Sequence, residues 1–191
     1  MKMEDLLEKI LDETNGATKV AIVGIGEEKL TDDAVGPYII SKLLQFNDNK
    51  FLIINCGIDM MARMDEIIDF KPSHLIIIDT CTYNAPPGTI TILKRKDIKE
   101  YIPISSHTIP INIVVDLITD KIPSLKTFMI GIVPESLEGF TELELFEGGK
   151  YSIDELNENQ DLPFFNIKLT KTISIVADNI INVLIKLIEL F

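Results

Sequence analysis

A four-residue apolar run, Val20-Ala21-Ile22-Val23, feeds straight into Gly24-Ile25-Gly26. The loop that follows closes on Thr31-Asp32-Asp33-Ala34-Val35-Gly36, and a helical pattern then runs from Pro37 to Phe46. A strand, a glycine-bearing loop and a helix in that order are the opening of an α/β sheet. They put the loop at the carboxyl end of the first strand, where open sheets of this kind bind ligands. Two adjacent carboxylates, Asp32 and Asp33, therefore stand at the edge that carries chemistry.

The rest of the chain keeps the alternation. Glu4 to Thr14 reads as a helix with Leu6, Leu7, Ile10 and Leu11 on one face, ended by Asn15-Gly16. Lys19 to Ile25 is the first strand, and Asp33 to Phe46 is a helix that turns Ile39, Ile40, Leu43 and Leu44 inward. Phe51 to Ile54 is a second strand, and Met60 to Phe70 is an amphipathic helix stopped by Lys71-Pro72. His74 to Ile78 is an unbroken apolar run of the kind buried on both faces of a parallel sheet. Pro86-Pro87-Gly88 makes a turn into an edge strand from Thr89 to Leu93. A short helical turn from Asp97 to Ile102, a helix from Pro110 to Thr119 and a buried strand from Thr127 to Val133 complete the pattern.

This spacing predicts a three-layer α/β/α sandwich around a mostly parallel twisted sheet, as one α/β domain over residues 1–191. Phe140 to Leu169 fits least well. It is acidic, with Glu142, Glu144, Glu147, Asp154, Glu155, Glu158 and Asp161, and Gly148-Gly149 breaks it. It reads as an insertion near 140–169, a flap or a partner-binding element. Residues 172–190 read as a C-terminal docking helix, because Asp178, Asn179, Asn182, Lys186 and Glu189 share one side of it. That distribution suits docking on a core better than spanning a membrane.

Composition narrows the function. With 46% hydrophobic residues, the 191-residue chain can bury a proper core. A net charge of −12 argues against nucleic acid and against an anionic membrane surface. Cys56 and Cys81 are the only cysteines and form no CxxC pair, so no disulfide framework is expected. Glu4 and Asp5 break any signal-peptide pattern, and the expectation is a cytoplasmic protein.

Three places combine a ligand-capable side chain with the carboxyl edge of the sheet. Asp33 follows strand one, Asp79 ends strand three, and His107 lies in Ser105-Ser106-His107-Thr108 just before a helix. Two carboxylates and an imidazole suit Ni²⁺, Zn²⁺ or Co²⁺ better than Mg²⁺, and three protein ligands leave coordination positions open. For Asp32 or Asp33 the structural alternative is helix capping, worth about 1 kcal/mol. His74 opens strand three on the opposite edge and reads as structural or solvated. Cys81 has no neighbouring base and reads as a buried thiol. Gly24 and Gly26 begin a dinucleotide fingerprint, but Lys29 stands at its third glycine, and Glu27 and Glu28 would repel a pyrophosphate.

In these residues the chain resembles the hydrogenase maturation endopeptidases, which process the large subunit of NiFe hydrogenases. Gly24 to Gly36 is similar to the family's opening G-x-G-N segment with its D-D/E-G/A-x-G end, and Leu75 to Asp79 to its L-I-I/V-x-D strand end. Ser106-His107-Thr108-Ile109-Pro110-Ile111-Asn112 resembles the histidine loop, in the T-H-x-x-P-L-N form of the hydrogenase 3 (formate hydrogenlyase) branch. Gly131 to Glu138 resembles G-I/V-x-P-E-S-L-E. Order and spacing agree from about Lys19 to Glu138.

The resemblance implies a five-stranded sheet between helices, with a catalytic and metal-binding trio at Asp33, Asp79 and His107. It implies a nickel-dependent endopeptidase that removes the C-terminal extension of a NiFe hydrogenase large-subunit precursor after nickel insertion. The nickel is then supplied by the substrate, and zinc or cadmium can stand in for it in a crystal. Two departures from the family mark expected substrate contacts. Glu27 replaces the usual Asn, and Gly57 ends Asn55-Cys56-Gly57 where the family has Asp-Gly-Gly. The same departures motivate an alternative, a non-cleaving metal-dependent chaperone or checkpoint protein for the precursor. A nucleotide-binding α/β protein is a third reading, disfavoured by the charges of Glu27 and Glu28.

Overall fold

A computed structural model describes residues 3–98, 109–139 and 150–191. Five strands form one sheet: β1 (Val20–Ile25), β2 (Phe51–Gly57), β3 (His74–Thr80), β4 (Ile90–Lys94) and β5 (Lys126–Ile132), in the order β2-β1-β3-β5-β4. The pairings among β2, β1, β3 and β5 are parallel, and β4 lies antiparallel to β5 at the edge. The helices are α1 (Met3–Glu13), α2 (Val35–Leu43), α3 (Met64–Phe70), α4 (Ile111–Lys121), α5 (Ile153–Glu158) and α6 (Lys171–Leu190).

Side-chain alternation along the strands divides the core. Val20, Ile22, Ile53, Ile76, Ile78, Phe128 and Ile130 pack with the buried faces of α1, α2 and α6. Ala21, Val23, Ile25, Ile54, Leu75, Ile77 and Met129 pack with α3 and α4 on the other side. The sheet is thus the middle of three layers, and its central strands are apolar at successive positions because both faces are covered. The C-terminal helix buries Ile173, Ala177, Ile180, Ile181, Val183, Leu184 and Leu187. Each of the large aliphatics among them contributes about 1.5–3 kcal/mol. Asp178, Asn179, Asn182, Lys186 and Glu189 are exposed, as their helical spacing predicts. No helix among the described residues is long and apolar enough to cross a membrane.

The boundaries differ from the sequence reading where backbone pairing outlasts the apolar run. β3 continues past Ile78, since Asp79 pairs with Gly131 and Thr80 with Ile132, so Asp79 lies within the strand. β2 likewise continues to Gly57, which pairs with Ile25 across a register shift. The segment expected as one helix from Asp33 to Phe46 is a 3-10 turn (Thr31–Ala34), the α-helix α2 and a second 3-10 turn (Leu44–Phe46). Pro37 explains the late start of α2. It has no N–H to give and sits in the first turn, where none is needed. Residues 95–98 form the turn expected near Asp97, and 99–102 lie outside the described residues. Within the acidic stretch, residues 140–149 also lie outside them. α5 follows, opened by a reciprocal capping box between Ser152 and Glu155.

Candidate active site

The chain leaves β1 toward β2 through α2, on one face, whereas beyond β3 it runs by way of β4 to α4, on the other face, and on to β5. Adjacent strands whose connections depart to opposite faces leave a crevice at their carboxyl ends. Here those strands are β1 and β3. Asp33 follows the first and Asp79 lies at the end of the second.

The glycines bring α2 down onto that crevice. A Cβ on Gly36 would fall 2.2 Å from the Ile25 carbonyl oxygen and 2.7 Å from that of Ile78. One on Gly24 would fall 2.6 Å from the Gly36 oxygen, and one on Gly26, at φ +143°, would fall 1.8 Å from the Asp33 oxygen. These glycines serve close packing of the turn and helix against β1 and β3. The Asp33 carbonyl occupies the space beside Gly26.

Asp33 and Asp79 are both buried, at 1% and 0% exposure. Residue 80 joins them. The Thr80 hydroxyl donates to Asp33 Oδ1 at 2.9 Å and lies 3.5 Å from Asp79 Oδ1, while the Thr80 N–H donates to Asp79 Oδ1 at 2.7 Å. Asp33 Oδ2 accepts the Glu27 N–H at 2.9 Å. Neither Asp32 nor Asp33 caps a helix, since no side-chain cap is formed at either the 3-10 turn or α2. Two carboxylates bracketing one hydroxyl away from water repel each other, and a cation beside them relieves that repulsion.

Asp32 is held differently. Its Oδ2 accepts the N–H groups of Glu135 and Ser136, each at 2.9 Å, and the Thr170 hydroxyl at 3.0 Å; its Oδ1 accepts the Thr170 N–H at 2.8 Å. It ties the β1 loop to the β5 loop and to the start of α6. Two more carboxylates fasten the segment before α6. Glu28 accepts the N–H groups of Phe164 and Phe165 and the Asn55 side-chain amide. Burial pushes its pKa above the ordinary value despite those bonds. Asp161 accepts the Asn55 N–H and pairs with Arg63 at 2.9 Å. Sequence reasoning did not assign these roles. The acidity of 140–169 was visible, but the long-range donors that Asp161 would meet were not.

The remaining expected residues fall in several places. The Glu27 side chain accepts the Lys29 N–H, and its own N–H serves Asp33. Gly57 adopts φ +49°, with open space where a Cβ would stand, and its carbonyl accepts the Gly26 N–H. Cys56 and Cys81 are buried, and burial pushes both thiols up to about 12, which makes them inert at neutral pH. His74 is buried at the amino end of β3, away from the crevice. His107 lies outside the described residues. α4 begins at Ile111, and its far end leads into the amino end of β5, so the helix start is directed to the carboxyl edge of the sheet. Among the described residues no three His, Cys, Asp or Glu side chains form a metal-ligating group.

The family described as HycI, hydrogenase maturation protease, matches residues 37–159, a stretch that contains Asp79 and His107 and begins just after Asp33. A Methanocaldococcus jannaschii protein provisionally named hydrogenase maturation protease is 31% identical over 139 residues, 69% of this chain and 81% of that protein. The hydrogenase 3 maturation protease of Escherichia coli K12 is 25% identical over 111 residues, 58% of this chain and 70% of the relative. Among solved structures, the NiFe hydrogenase maturation protease HycI from Thermococcus kodakarensis KOD1 superposes with a TM-score of 0.73 at 21% identity, covering 95% of this chain and 99% of the other. The Escherichia coli endopeptidase HybD gives 0.61 at 20% identity, with 90% and 92% covered. The structural likenesses establish the fold, and the sequence matches establish the relationship: the chain belongs to the hydrogenase maturation protease family and is a peptidase.

Proposed function

We propose that this peptidase removes the C-terminal extension of a NiFe hydrogenase large-subunit precursor after nickel insertion, and that Asp33, Asp79 and His107 read the nickel already seated in the precursor. The observation that carries the proposal is the Thr80 bridge. In a member of this family it holds two buried carboxylates side by side at the sheet's switch point. Oxygen ligands from Asp33 and Asp79 with the imidazole of His107 form a mixed donor set suited to a divalent first-row metal.

The metal is part of the substrate. Bound there, it supplies Lewis acidity toward a nearby carbonyl. This chain's own residues do the rest. Asp33 and Asp79 engage the metal from the carboxyl ends of β1 and β3 and so place the scissile peptide at the crevice. A carboxylate of the pair accepts a proton from the attacking water as its oxygen bonds to the carbonyl carbon. The same proton then passes to the departing amine as the C–N bond breaks.

The test is mass spectrometry of a NiFe hydrogenase large-subunit precursor incubated with this protein. A discrete C-terminal loss from nickel-loaded precursor is expected, absent with nickel-free precursor and with His107→Ala. Full processing by a folded His107→Ala variant overturns the site assignment. Equal processing of nickel-free precursor overturns the nickel gate.

A further inference from the structure

Asp33 and Asp79 are closed off from solvent, yet Thr80, the residue that touches both, forms part of the wall of an open cleft. The cleft has a volume of about 390 Å³. Among the described residues its wall comes from two loops at the carboxyl edge. Cys81 and Tyr83 follow β3, while Val133, Pro134 and Leu137 follow β5. Its surface is mainly apolar, and Cys81, one of its lining residues, is buried, with burial pushing its thiol up to about 12. The β5 wall is not free to drift. Asp32 holds the N–H groups of Glu135 and Ser136, immediately before Leu137. The Val133 N–H also donates to the Thr89 carbonyl.

We infer that this cleft is the subsite for an apolar side chain flanking the scissile bond, with Leu137, Val133 and Tyr83 setting that preference. The inference rests on the proposed function for the identity of the peptide. The occupant follows from continuity: a polypeptide that brings a carbonyl to Asp33 and Asp79 passes Thr80, so one of its flanking side chains enters the space beside Thr80. Thr82 and Asn84 add polar groups to the wall, but its surface is mainly apolar and its described lining includes no cation, so a pocket of this size takes an apolar side chain and offers a carboxylate no charged partner.

The experiment compares nickel-loaded precursors whose residues flanking the cleavage point are changed, one side at a time, to Leu or to Asp. Wild-type protein is expected to prefer Leu over Asp on one side by about 10-fold or more in kcat/KM. Leu137→Arg is expected to shrink or invert that ratio while leaving the other side unaffected, a change that general loosening of the fold does not produce. Equal ratios for wild type and Leu137→Arg overturn the subsite and leave the proposed function standing. If wild type cleaves no precursor, the proposed function falls and a second readout decides the cleft. The chain has no Trp, so Leu137→Trp places a single fluorophore at the wall. A blue shift with a Trp-free decapeptide carrying Leu, and none with its Asp counterpart, supports an apolar subsite. No shift with either peptide overturns it.

Discussion

Asp32 and Asp33 are neighbours in sequence and equally buried, yet the fold treats them in opposite ways. Asp32 accepts four hydrogen bonds from two distant segments. A carboxylate has about four acceptor sites, so nothing remains to offer a ligand. Among the described residues Asp33 accepts two, from Glu27 and Thr80, and the second of those donors also reaches toward Asp79. Burial and charge do not distinguish these two carboxylates. What separates them is whether the donors around the carboxylate exhaust it.

The contrast predicts that the two positions fail in different measurements. Asp33→Asn and Asp79→Asn are expected to reduce precursor processing by about 1000-fold or more, with little change in thermal midpoint. If Asp32→Asn matched that loss at unchanged stability, the division between the two carboxylates would collapse. Asp32→Ala is instead expected to lower unfolding free energy by about 3 kcal/mol in urea titration, because it strands several buried donors at once.

Thr80 sharpens the same comparison at a smaller scale. Thr80→Val keeps the shape and the backbone N–H to Asp79 but removes the hydroxyl from Asp33. Processing is expected to fall about 10-fold, mainly in kcat, since the carboxylates would no longer be held in register. Thr80→Ser restores the donor and is expected to restore the rate. A Ser variant as slow as Val would mean that the methyl group, and not the hydroxyl, matters at this position.

Much of this is legible in the amino-acid sequence. The apolar runs at Val20–Val23 and His74–Ile78 specify central parallel strands, because only a strand covered on both faces is apolar at successive positions. Asp79 was conspicuous for the same reason, a carboxylate at the end of such a run. Thr80 was not. Its role depends on pairing that continues beyond the apolar residues, and on a loop 47 positions earlier in the chain. The clamp at Asp32 was equally hidden. It joins residues more than 100 positions apart, and adjacent aspartates carry no local sign of which one will meet those donors. The glycines gave a partial signal. Their spacing mimics a phosphate loop, while their function is to let α2 approach β1 and β3.

His74 extends the comparison to the opposite end of β3, where a buried titratable group is under-satisfied rather than shared. Its Nδ1 lies 3.0 Å from the Ser73 hydroxyl oxygen, and its Nε2 has no hydrogen-bond partner among the described residues. The Ser73 hydroxyl is shared, since it also accepts the Thr18 and Lys19 N–H groups and donates to the Lys19 carbonyl, and the protonated ring carries an N–H on Nε2 as well as on Nδ1. Protonation would bury an N–H with no acceptor. Burial first, and the nearby Lys126 charge second, hold the imidazole pKa below its ordinary value. The unfolded chain therefore binds the extra proton more readily than the folded one, and stability rises with pH across that interval. The contribution is complete above the unfolded value of about 6.5 and is lost as pH falls below it. In urea titrations between pH 7.5 and 5.5, His74→Leu is expected to lose less stability than wild type, since its neighbours Ser73 and Lys19 keep their bond. Identical pH dependence in the two proteins would show that protonated His74 finds an acceptor in the folded state, and the two ends of β3 would then differ less than their hydrogen bonds indicate.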